Sequence, residues 1–120
     1  MTASEYNYLL SLYELSGSMD GVRIVDLSLK TKISKASVYH ALNRLINKGL
    51  ASRSLEEATY NITEEGIKLI TNYQGYVKKI QSWLISKLGM NIDCAYNDAI
   101  EIVCNISDEG REALLTYISN

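Results

Sequence analysis

Proline is absent from the chain, so no segment announces itself as a stiff linker between independent parts. Cysteine is nearly absent. Cys94 and Cys104 have no zinc-ligand spacing and are too few for a disulfide framework. Carried on one helix, they would be separated by about 15 Å of rise, beyond the reach of a bridge, so reduced thiols are expected. Histidine occurs once, as His40, which leaves no imidazole cluster for a metal. No stretch approaches the roughly 20 apolar residues of a membrane span. The first residues lack the basic-then-apolar pattern of a secretory leader. Phosphate-binding loops and nucleophile motifs are missing too, so an enzyme is not expected. These absences together suggest a cytoplasmic protein with no membrane partner and no cofactor.

What remains is ordinary in bulk and uneven in distribution. The 120 residues are 47% hydrophobic and 22% charged, which suits one domain or a small domain with an appendage. Net charge is −2 overall, yet residues 1–53 sum to +3 and residues 54–120 to −5. From Arg23 to Arg53 the basic side chains are Arg23, Lys30, Lys32, Lys35, Arg44, Lys48 and Arg53, against Asp26 alone. A basic segment inside an acidic chain is an electrostatic footprint for phosphates, or simply a solvated helical surface.

Periodicity organises the chain into helices around one hairpin. Thr2 and Glu5 have capping-box spacing, and Tyr6, Leu9, Leu10 and Tyr13 follow as an amphipathic stripe that ends at Gly17. A short helix over about 23–31 would turn Ile24, Val25 and Leu27 inward. Ser34 is a strong N-cap, with Ile33 and Val38 at hydrophobic-staple spacing. Val38, Ala41, Leu42, Leu45 and Ile46 continue the buried side until Gly49. Two helices meeting at a turn around Lys32–Ser34, the second better capped, outline a helix-turn-helix. Residues 50–54 and 59–62 alternate as two strands of a wing, joined by Leu55–Ala58. Thr63 caps a helix that reaches Leu88, with or without a break near Gly75. Asn91 and Ser107 cap two final helices, about 92–105 and 108–118. The fold class is therefore mainly α: a winged helix-turn-helix over residues 1–63 with a small β-hairpin wing, then a helical dimerisation domain over residues 64–120.

The outward face of the third helix carries the functional signal. With Val38, Leu42 and Leu45 inside, Lys35, Ala36, Ser37, Tyr39, His40 and Asn43 point outward. Asparagine pairs bidentately with adenine, the alanine methyl meets thymine methyls, and serine and lysine reach base edges or phosphates. Arg44 and Lys48 flank this face as phosphate contacts, and Arg53 sits on the wing. Double-stranded DNA is the partner these residues suggest. Ile80, Trp83, Leu84 and Leu88 recur at helical spacing as a seam for a second copy, or equally as core within one chain.

Several stretches resemble the diphtheria toxin repressor and manganese transport regulator family. They are Tyr8 to Tyr13 in the first helix, Ile33-Ser34-Lys35-Ala36-Ser37-Val38 with Leu45 and Gly49-Leu50, and Asn61-Ile62-Thr63-Glu64-Glu65-Gly66 at the wing exit. The more specific part is Tyr96-Asn97-Asp98-Ala99 followed by Ile106-Ser107-Asp108-Glu109. The resemblance spans nearly the whole chain. It implies a homodimer on a palindromic operator, with Mn(II) or Fe(II) as co-repressor tying the first helix to the dimerisation helices. The ligand positions it implies fall on Asn7, Leu10, Val77, Ile100, Val103 and Cys104. Hard divalent ions want carboxylates and imidazoles, so no metal is expected there. Leu10, Val77, Ile100 and Val103 suggest instead an apolar plug that fixes one arrangement without an effector. The alternatives are a DNA-binding regulator with a redox or small-molecule input, and a winged-helix interaction module that has lost DNA binding.

Overall fold

The computed structural model describes residues 1–119. The chain forms α1 (Ala3–Ser16), α2 (Ile24–Thr31), α3 (Lys35–Asn47), β1 (Ala51–Ser54), β2 (Thr59–Ile62), α4 (Glu64–Leu88), α5 (Ile92–Asn105) and α6 (Asp108–Ser119). These elements divide into two compact units, one of Ser4–Ile70 and one of Met1–Ala3 with residues 71 onward.

In the N-terminal unit the local signals explain most boundaries. Ser34 caps α3 by accepting from the Ser37 N–H at 3.3 Å. At the other end, Gly49 adopts φ +75° while its N–H bonds to the Ile46 carbonyl and the Leu50 N–H to the Leu45 carbonyl. This is a Schellman ending, which a Cβ-bearing residue adopts only under strain. Lys32 takes the left-handed conformation at φ 60°, and the Ser28 hydroxyl donates to the Ile33 carbonyl at 2.6 Å, so the turn between α2 and α3 is tied on both sides. Leu27, Val38, Ala41, Leu42 and Leu45 are buried.

Three expectations about burial fail. Ile46, placed on the buried side of α3, is only half-buried near the end of that helix. Val25 is exposed, because at this length α2 turns only Leu27 fully inward. On α1, Leu10 and Tyr13 are half-buried, while Tyr8 and Leu12 join Tyr6 and Leu9 inside. The i, i+3, i+4 stripe located the helix but misplaced its face by part of a turn.

The wing is an antiparallel pair with Ala51 opposite Ile62 and Arg53 opposite Tyr60, joined by Leu55–Ala58. Its first strand starts at Ala51 rather than Leu50, because the Leu50 N–H and carbonyl serve the ends of α3 and α4 instead. The Tyr60 backbone also pairs with Val22 through bonds of 2.7 and 2.8 Å, which anchors the wing to the segment before α2. Thr63 donates its hydroxyl to the Gly49 carbonyl and accepts from the Gly66 N–H, joining the end of α3 to the start of α4. Gly66 is required by close approach. A Cβ there would lie 2.2 Å from the Leu50 carbonyl oxygen.

In the C-terminal unit α4 runs unbroken past Gly75. The Asn91 side chain accepts from the Asp93 and Cys94 N–H groups and starts α5, and the Ser107 hydroxyl accepts from Gly110 N–H and starts α6. Tyr73, Val77, Ile80, Leu84, Ala95, Ala99, Ile100 and Val103 are buried. Arg111 is buried as well, 8% exposed. From α6 it donates to the carbonyls of Val103 at 2.7 Å and Ile106 at 2.8 Å, groups that the end of α5 leaves without helical partners. It also pairs with Asp108 and lies 4.9 Å over the Tyr73 ring.

Candidate nucleic-acid interface

The expected reading face is present as a surface of α3. Lys35, Ala36, Ser37, Tyr39, His40 and Arg44 are exposed, and Asn43 is half-buried beside them. Every residue between them that faces the other way, Val38, Ala41, Leu42 and Leu45, is at most 1% exposed. The helix thus has a sharp division between a packed and an open side. Tyr39 and His40 meet edge to face with ring centroids 5.6 Å apart, so the two rings form one aromatic shelf on the open side. The Ser34 and Ser37 hydroxyls are 3.1 Å apart at the first turn, where backbone N–H groups give a helix its affinity for anions.

The cations divide into held and unpaired ones. Lys30 lies 3.6 Å from Glu14. Lys48 pairs with Glu5 of α1, whose side chain is 8% exposed while that of Lys48 is 48% exposed. The sequence assigned Glu5 to a capping box and Lys48 to a phosphate. The structure brings the two together across 43 positions, a pairing with no local signature. Lys35 and Arg44 form no ion pair among the described residues. On the wing, Arg53 sits 5.5 Å over the ring of its cross-strand partner Tyr60, which holds the guanidinium in place. The wing turn carries exposed Leu55, Glu56 and Glu57, so the basic group lies on the strand and the tip is acidic.

The four residues suggested as a dimer seam fall into different environments. Ile80 and Leu84 are buried inside the chain, 2% and 5% exposed, so their part of the stripe is core. Trp83 is half-buried along an open cleft with α6, and Leu88 is 60% exposed. Ile92, after the α4–α5 turn, is 62% exposed.

The positions that the family resemblance assigns to metal ligands can be tested on their donors. Leu10, Val77, Ile100 and Val103 provide none. Asn7 and Leu10 border a groove of about 440 Å³ with Ser4, Tyr8, Ser11, Thr31 and Ile33, where every donor is uncharged. Val77, Ile100 and Val103 are buried aliphatic residues. Among the described residues no three His, Cys, Asp or Glu side chains come together, and no disulfide joins Cys94 to Cys104. A manganese or iron ion does not fit this set.

No family model matches the sequence, and no curated protein matches it at a significant level. Solved structures do. A hypothetical protein from Sulfolobus solfataricus superposes with TM-score 0.80 at 24% identity, covering 98% of this chain and 89% of that one. The metal-dependent transcriptional regulator MtsR gives 0.79 at 21% identity over 99% of this chain, and the manganese regulator SloR gives 0.79 at 22% over 96%. This chain spans only about half the length of those two regulators, 55% and 53%. Among the described residues no helix is long and apolar enough to cross a membrane. The chain therefore has the winged-helix fold, with following helices, that is found in metal-dependent transcriptional regulators of the diphtheria toxin repressor type.

Proposed function

We propose that the protein is a sequence-specific DNA-binding transcriptional regulator of that family, acting as a homodimeric repressor without manganese or iron control at the family's site. One observation carries the reading. The open side of α3 holds Lys35, Ala36, Ser37, Tyr39, His40, Asn43 and Arg44, groups able to read base edges and grip phosphate, with no acidic side chain among them. A merely solvated helix of an acidic protein would mix carboxylates into that face.

In this reading α3 enters the major groove. Asn43 pairs with an adenine, Ala36 meets a thymine methyl, and Ser37 binds at the helix N-terminus. Tyr39 and His40 form a shelf against the sugar-phosphate edge. Lys35 and Arg44 neutralise phosphates on either side. Lys48 is shared with Glu5 and contributes less. Arg53 approaches from the wing strand, while Glu56 and Glu57 keep the wing tip off the backbone. The exposed apolar residues Leu88 and Ile92 offer a seam for the second copy. Four of the six assigned ligand positions, Leu10, Val77, Ile100 and Val103, carry no donor atom, which supports regulation by another input, or none.

Selection of bound fragments from a random DNA pool tests this directly. The expected product is a palindrome whose half-sites are centred about one helical turn apart or a multiple of it. Asn43→Ala should relax one position of each half-site and cost about 1–3 kcal/mol there. Arg44→Gln should weaken all sequences alike and lower the salt slope by about one. Failure to bind any fragment at low salt, where even non-specific binding appears, would refute the reading.

A further inference from the structure

The C-terminal unit carries a second surface of different chemistry. Along α4, positions 78, 82 and 86 form one row and positions 79, 83 and 87 the next, since residues four apart stack on one face. The rows read Lys78, Ser82, Ser86 and Lys79, Trp83, Lys87. With Ile118 and Ser119 at the end of α6 they line an open cleft of about 530 Å³, and Tyr117 continues it beside Trp83 and Lys87. Trp83 and Ile118 are half-buried and make an apolar floor. Ser82, Ser86 and the three lysines, all exposed, line the cleft as well and supply its polar groups.

These lysines are unusual for their surroundings. Residues 54–120 carry twice as many carboxylates as cations, net −5. Yet Lys78, Lys79 and Lys87 form no ion pair among the described residues. Three like charges thus border the cleft that Trp83 lines, with no carboxylate paired to any of them among the described residues.

We propose that this cleft binds a small organic carboxylate with an apolar, ring-bearing body. The ring lies against the Trp83 indole and Ile118, where aromatic offset stacking and burial of apolar area favour it. The carboxylate lies at these polar groups, accepting from the Ser82 or Ser86 hydroxyl and from the ammonium groups as charge-assisted bonds. Each half of such a ligand answers one half of the cleft. An inorganic anion leaves the indole uncovered, and a neutral hydrocarbon leaves three ammonium groups unmatched. The volume lies within the range of small-molecule clefts. The site belongs wholly to the C-terminal unit, and it does not rest on the DNA-reading proposal.

Trp83 is the chain's single tryptophan, so its fluorescence reports on the cleft. Titration of the full chain with phenylbutyrate should change Trp83 emission saturably, with half-saturation at about 0.1–1 mM for a ligand of this size. The uncharged analogue phenylbutyramide should bind at least about tenfold more weakly, the equivalent of two exposed ion pairs. Lys79→Gln and Lys87→Gln should each weaken phenylbutyrate by up to about fivefold and leave phenylbutyramide unchanged. Lys32→Gln, in the other unit, should leave both unchanged. Equal binding of acid and amide, or acid binding indifferent to both lysine changes, would overturn the proposal. So would the lack of any saturable response. A probe-free emission that shifts with protein concentration would overturn it as well, because a second copy would then cover the cleft.

Discussion

Arg111 is a charged side chain buried in the C-terminal unit, and its replacement by methionine removes several contacts at once. Methionine keeps most of the apolar stem and removes the guanidinium. The buried bond to the Val103 carbonyl, 2.7 Å, leaves an acceptor without a partner, which costs about 1.5–3 kcal/mol when the lost donor was charged. The bond to the Ile106 carbonyl, 2.8 Å and only partly buried, adds about 0.5–1 kcal/mol. The cation over Tyr73 at 4.9 Å contributes about 0.5–2 kcal/mol, being screened from water on most sides. The Asp108 side chain is 96% exposed, so that pair adds at most about 1 kcal/mol. Methionine recovers some dispersion, and a net loss of about 3 kcal/mol is expected, a drop in Tm of roughly 10–18 °C for a chain of this size. Thermal and urea unfolding followed by circular dichroism measure it. Asp108→Asn serves as the control and should lose about 1 kcal/mol or less. A loss below about 1 kcal/mol for Arg111→Met, or equal losses for the two variants, would refute the view that Arg111 acts by closing the end of α5.

Three further outcomes follow from the same geometry. Gly66→Ala should destabilise by about 1–3 kcal/mol or more, because its Cβ would sit 2.2 Å from the Leu50 carbonyl oxygen, and Gly75→Ala, with open space around it, should be neutral or stabilising in the same melts. Burial raises the pKa of Tyr73 above 10.0, with Arg111 opposing the shift. The unfolded phenol therefore ionises first, so the stability this group contributes is complete below pH 10.0 and is lost as pH rises through the folded pKa; Tyr73→Phe should flatten that alkaline decline, and an unchanged pH profile would count against it. Glu5→Gln should release Lys48 from its ion pair and steepen the salt dependence of DNA binding by up to about one phosphate's worth, a change that filter binding at several salt concentrations would detect or dismiss.

What the chain declares by itself is set by short-range chemistry. Ser34, Thr63, Asn91 and Ser107 sit at helix starts because their oxygens satisfy N–H groups two or three residues away. Gly49 ends α3 because a left-handed residue is needed there. Those requirements are local, so spacing alone located the helix-turn-helix, the wing strands and the open face of α3. The tertiary structure decided everything that depends on partners distant in sequence. It joined Glu5 to Lys48, turned Arg111 onto the end of α5, drew Ile80 and Leu84 into the core away from the suggested dimer seam, and set the lysine rows of α4 beside the end of α6. A helical stripe says that a residue faces something. Only packing determines whether that neighbour is the chain's own core, water, a ligand or another molecule.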